Sequence, residues 1–135
     1  MRSITEDGVF EKLHEFVVDF CRARGIESGA FAAVDLTSPD AISRPRYKLV
    51  NRDSPLKLNR PGKQDGNSFG IVFMKLMMVV AHLCDTGGET NIRGEVPWQG
   101  GTISADRSHG YAYTGGTQEE DKDACHAVEA YHRTL

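Results

Sequence analysis

Between Phe69 and Cys84 the chain runs through sixteen residues broken by only two polar side chains, Lys75 and His82. That stretch is shorter than the roughly 20 apolar residues of a membrane-spanning helix, and a lysine sits inside it. A helix this apolar on every side has no solvent face to offer. It therefore predicts a helix from about Ser68 to Cys84, packed by a sheet on one side and by a second subunit on another. The rest of the chain has to supply that sheet.

A second helix is read before it. Val9, Phe10, Leu13, Phe16, Val17, Phe20 and Cys21 recur at spacings of three and four, with Glu11, Lys12, Glu15, Asp19 and Arg22 on the opposite side. Thr5 or Asp7 is positioned to cap its start, and Gly25 to end it in a left-handed turn. Gly29 to Leu36 reads as a short buried strand, and Tyr47 to Asn51 as its hairpin partner. Asp53 to Gly66, with Pro55, Pro61 and Gly62, reads as a long loop of the kind that often carries function. After Asp85-Thr86-Gly87-Gly88 stops the apolar helix, Gly94 to Gly101 is glycine-rich and irregular. Thr102 to Ala105 and Tyr111 to Thr114 read as two strands, joined by a turn through Asp106 to Gly110 that leaves His109 exposed. A last helix follows Gly115-Gly116, opened by a capping box of Thr117 and Glu120. Strands grouped as hairpins among three helices predict one α+β domain, an antiparallel sheet flanked by helices.

Charge narrows the class. The net charge is −3, and the basic residues between Arg44 and Arg60 are interrupted by Asp53 and by apolar side chains, so they form no phosphate-neutralising stripe. No nucleic-acid partner is expected, and no membrane. The first ten residues lack the apolar core of a signal peptide, and Cys21, Cys84 and Cys125 form no CxxC pair. A reducing, cytoplasmic setting fits both observations.

Candidate chemistry is sparse. Lys75, alone among apolar neighbours, reads either as a desolvated base or Schiff-base nucleophile, or as a stem lying on apolar surface with its head on a carboxylate. The glycines at Gly100-Gly101 and Gly115-Gly116, with Thr117 opening a helix, would bring free N–H groups to a carboxylate or phosphate, or serve only as turns and a cap. His14 at the edge of the first helix and His82 in the second are the histidines placed to ligate a haem, or to be hydrogen-bonded structurally. No histidine pair has zinc spacing, so no metal site is read. Glu119, Glu120, Asp121 and Asp123 read as the acidic first turns of a helix, complementing its dipole. Trp98 reads as a lid on a ligand, an oligomer contact or loop packing.

Asp65-Gly66, the Lys75 helix, Pro97-Trp98-Gln99-Gly100-Gly101, a hairpin and the closing Gly-Gly-Thr-x-Glu-x-Asp of Gly115 to Asp121 together resemble a known family. The chain looks like the GlcG/HbpS-like proteins, which include the haem-binding protein HbpS and the C-terminal domain of PduO-type corrinoid adenosyltransferases. The resemblance runs from Phe31-Ala32-Ala33-Val34-Asp35 to the last helix. It implies a profilin-like fold, homo-oligomers, and a haem, corrinoid or small-metabolite ligand. Leu76-Met77-Met78, Trp98-Gln99 and the basic stretch from Thr37 to Lys63 depart from the pattern and point to a reshaped pocket.

Three functions follow as expectations. The first is a homo-oligomeric binding module holding haem or a small ligand near Trp98, Gly100, Gly101, Gly115, Gly116, Thr117 and Glu120. The second is an enzyme using the same cleft, with Lys75, a histidine or Asp65 as acid or base. The third is a protein-interaction partner.

Overall fold

The computed structural model describes residues 1–50, 68–83 and 101–135. Their elements run α1 (Val9–Arg22), β1 (Ala30–Asp35), α2 (Pro39–Ile42), β2 (Arg46–Leu49), α3 (Ser68–His82), β3 (Gly101–Ile103), β4 (His109–Thr114) and α4 (Gln118–His132). The expected loop from Asp53 to Gly66, the stop at Asp85 to Gly88 and the irregular stretch before Gly101 lie outside the described residues.

The four strands form one antiparallel sheet in the order β2-β1-β4-β3. Helices cover both faces, so the α+β arrangement read from the sequence is the one observed. Strand alternation divides the side chains by size. Phe31, Ala33, Tyr111 and Tyr113 point to the face covered by α1 and α4, where they join Phe10, Leu13, Val17 and Val128. Ala30, Ala32, Val34 and Ala112 point to the other face, where these mostly small residues let α3 settle its Val72 and Leu76 close to the sheet. Aromatic bulk thus fills the two-helix side, and small residues admit the single apolar helix.

α1 buries Val9, Phe10, Leu13, Val17 and Cys21 of the stripe its spacing predicts, with Phe16 and Phe20 half-buried and His14, at the stripe's edge, buried too. Neither Thr5 nor Asp7 caps it. Gly8, in the left-handed region at φ 81°, holds the N-cap position without a side-chain bond. Gly25 does close the far end at φ 73°, with the Ile26 N–H reaching the Cys21 carbonyl at 2.9 Å. α2 is a single turn that no sequence pattern announces. It is too short to show a period, and it rests on Ser38, whose hydroxyl accepts from the Ala41 N–H at 3.1 Å, and on Pro39 in the first turn.

The β3–β4 hairpin corrects one expectation. His109 is not an exposed turn residue; it opens β4 and is 1% exposed. Asp106 tightens the turn, accepting from the Ser104 hydroxyl at 2.7 Å, the Ser108 N–H at 3.0 Å and the Ser108 hydroxyl at 2.7 Å. Arg107 takes the left-handed conformation at φ 62°. With the reversal completed by Ser108, the strand begins two residues before Tyr111 and carries His109 inside.

Candidate functional site

Lys75 projects from α3 past the end of the sheet. Its ammonium donates to the Tyr113 carbonyl at 2.9 Å and to Asp121 Oδ2 at 2.8 Å, with both partners of the ion pair 4% exposed. Asp121 Oδ1 in turn accepts from the Gly116 N–H at 2.9 Å. Burial pushes the Asp121 carboxyl up to about 6, against Lys75 and Gly116, which favour its ionised form. Lys75 therefore ties α3 to β4 and to the first turn of α4. Asp121 is not one more surface charge complementing a dipole; it is the lysine's buried partner.

The Gly115-Gly116-Thr117 turn is closed on itself. Thr117 Oγ1 accepts from the Glu120 N–H at 3.1 Å, and Glu120 Oε1 accepts from the Thr117 N–H at 2.9 Å, completing the predicted capping box. With Gly116 donating to Asp121, three of the N–H groups expected to face an anion are satisfied internally. The glycine at 115 is required for another reason: a Cβ there would lie 2.3 Å from the Ser28 carbonyl oxygen, at φ 152°. The chain crosses itself at this point, next to Gly29. Gly101 lies in β3. Asp65, Trp98 and Gly100 lie outside the described residues.

A concavity is found along α1 instead. One groove of about 340 Å³ is lined by His14, Glu15, Val18, Asp19 and Val50. A second, of about 220 Å³, shares Val18 and Val50 and continues past Arg22, Ile26 and Glu27. His14 Nε2 lies 2.5 Å from the Leu49 carbonyl. A carbonyl only accepts, so Nε2 carries the proton and the lone pair is left on Nδ1. Burial holds the imidazole's pKa below its ordinary value, although the Leu49 carbonyl favours the charged ring, so His14 is neutral at pH 7. A neutral histidine oriented by a backbone carbonyl suits metal ligation in principle. The surroundings do not suit a haem. Among the described residues, Val18 and Val50 are the apolar side chains lining the larger groove, and the carboxylates of Glu15 and Asp19 would face a dianionic macrocycle. His82 ends α3 away from this groove, half-buried. No cluster of metal-ligating side chains occurs among the described residues.

Among the described residues, a buried polar cluster joins side chains that no sequence motif links. His109, Tyr111 and His132 are each 1% exposed or less, and Asp35 is 4% exposed. The two imidazoles meet edge to face with centroids 4.6 Å apart. Tyr111 Oη lies 2.6 Å from His132 Nδ1, and His109 Nε2 lies 4.0 Å from Asp35 Oδ2. Burial and the neighbouring His132 push His109 down to about 4. Burial lowers His132 and raises the Tyr111 phenol. The available signals were the period-2 face shared by positions 109, 111 and 113 and the four-residue step from Val128 to His132.

Compared with known proteins, the chain matches no family model and no curated sequence.

Proposed function

We propose that this chain is a binding domain for a small organic ligand, seated in the groove along α1, and that it works as a homo-oligomer assembled through α3. The observation that carries the ligand reading is the groove itself. Its volume of about 340 Å³ falls at the lower end of small-molecule sites, and a neutral imidazole stands in its wall beside two carboxylates. The negative potential of Glu15 and Asp19 favours an amine over an anion. The resemblance to the GlcG/HbpS-like proteins supports a small ligand in general, while the groove's lining speaks against haem. Lys75, with its ammonium bound to Asp121 and Tyr113, is a structural tie in this reading rather than a base.

Calorimetric titration with 1,4-diaminobutane, alongside a haem titration followed in the Soret band, tests the ligand. Saturable diamine binding that weakens about tenfold in the Glu15→Gln/Asp19→Asn variant supports it. No diamine binding, with a saturable Soret shift abolished by His14→Ala, would replace it with haem binding.

The oligomer rests on α3. Lys75 is the helix's one Lys, Arg, Asp or Glu, and it is turned inward. Phe73 is 46% exposed, and Met77 and Val80 on the same side are half-buried. An apolar helix side free of charge is self-complementary, as a two-fold contact requires. Sedimentation equilibrium should find a multimer for the native chain and a monomer for Phe73→Glu. A native monomer would end this part of the proposal.

A further inference from the structure

Residues 1–4 lie as a strap over the buried histidine cluster, and each makes one contact with it. Met1 Sδ lies 3.5 Å from Tyr111 Oη, and the Arg2 carbonyl lies 2.6 Å from His132 Nε2. The Ser3 hydroxyl donates to Asp35 Oδ2, and the Ile4 N–H donates to His109 Nε2 at 3.3 Å. The Ile4 side chain is fully buried in the core beyond.

Backbone groups with fixed roles set the protons. A carbonyl can only accept, so His132 carries its proton on Nε2, and the neutral ring takes the Tyr111 hydroxyl proton at Nδ1. A backbone N–H can only donate, so His109 Nε2 is a lone pair and Nδ1 carries the proton. That proton points to Ser108 Oγ at 2.8 Å, whose own proton goes to Asp106 at 2.7 Å. The two histidines therefore respond differently to acid. A protonated His132 keeps its bond to Arg2 and only reverses the direction of its bond to Tyr111. A protonated His109 places an N–H where the Ile4 N–H already points. Its nearest acceptor is Asp35 Oδ2, at 4.0 Å, which now holds the Ser3 hydroxyl.

We propose that the N-terminal strap is an acid-released latch, with His109 as its trigger: protonation exchanges the strap's contacts through Ser3 and Ile4 for a buried His109–Asp35 ion pair. Charged and titratable groups from every side act on the trigger. Asp35 from β1 and Asp106 from the β3–β4 turn favour the cation. His132 from α4 and the Met1 amino group oppose it, while Glu129 and Arg133 of α4 act on Tyr111, which stays neutral beside it. Opening uncovers Tyr111, His132 and the new ion pair together. The latch is independent of the α1 groove and of any oligomer.

The test follows Ile4 amide exchange and the histidine ring signals by NMR on the full chain from pH 7.5 to 3.5. Ile4 should lose protection at least about tenfold with the same midpoint as the His109 titration, while Val128 in α4 stays protected. His109→Gln keeps an acceptor for the Ile4 N–H and cannot take a proton, so its strap should stay closed at pH 4. His132→Gln removes a neighbour that opposes the His109 cation, so release should persist, with its midpoint moved upward together with the His109 titration. Release at the native pH in His109→Gln, or release only together with Val128, would overturn the latch. Should His109→Gln not fold, a gap of more than about one pH unit between ring titration and Ile4 release in the native chain overturns it equally.

Discussion

A lysine left 4% exposed is tolerated only where its charge is matched, and Lys75 is matched by one carboxylate and one carbonyl. Removing the carboxylate's charge by Asp121→Asn strands the ammonium inside the fold and should cost about 3–5 kcal/mol in chemical denaturation. Adding Lys75→Met to that variant removes the stranded charge, while the amide oxygen of the substituted side chain can still accept from the Gly116 N–H. The double variant should therefore be more stable than Asp121→Asn alone, and a double-mutant cycle reads the coupling directly. A double variant as unstable as the sum of its parts would mean the two residues are not partners. Lys75 was legible in the sequence because it stands alone in an apolar run. Asp121 was not, because four acidic residues crowd positions 119 to 123 and composition cannot choose among them. Helix phase can: Asp121 shares the buried side of α4 with Ala124, Cys125 and Val128.

At the scale of elements, each piece that announces itself by a local period was legible. α1 and α3 have apolar spacing, α4 has its capping box, and β1 and β4 have apolar character. What escaped depends on contacts between elements or on side chains that close turns. The Asp106 turn moved the start of β4 and took His109 inside, and α2 is a single capped turn between two strands. The groove along α1 escaped for a similar reason. Glycines beside a helix start suggested an anion cradle, but Thr117, Glu120 and Asp121 already occupy its donors. This reading makes the cap structural, with a defined effect. Thr117→Ala removes the acceptor for the Glu120 N–H and should lower stability by about 1 kcal/mol without touching ligand binding. Thr117→Ser keeps the hydroxyl and should restore most of the loss. Paired urea titrations and calorimetry check both halves, and weakened ligand binding in Thr117→Ala would return the site to this turn.

For the molecule as a whole, the buried histidines set how stability follows pH. His14, His109 and His132 all have folded pKa values below the ordinary 6.5, each held down first by burial. Above pH 6.5 these rings are neutral in both states and contribute no slope. Below it the unfolded chain takes up protons that the folded chain refuses, so stability falls as acid is added, until the folded values are reached. For His109 that window runs from 6.5 down to about 4 and corresponds to about 3 kcal/mol. Among the described residues, the three lowered imidazoles act in the same direction and give a net loss toward acid. Asp35 and Glu11, whose folded values are lowered, add their own loss only as pH falls through the carboxylate range. The expected result is a urea-unfolding free energy that declines from pH 7 to pH 4.5, with His109→Gln losing about 2–3 kcal/mol less than the native chain over that interval. Equal losses in the two proteins would mean that the folded chain protonates His109 at its ordinary value, which burial and the Ile4 N–H donated to its Nε2 both oppose.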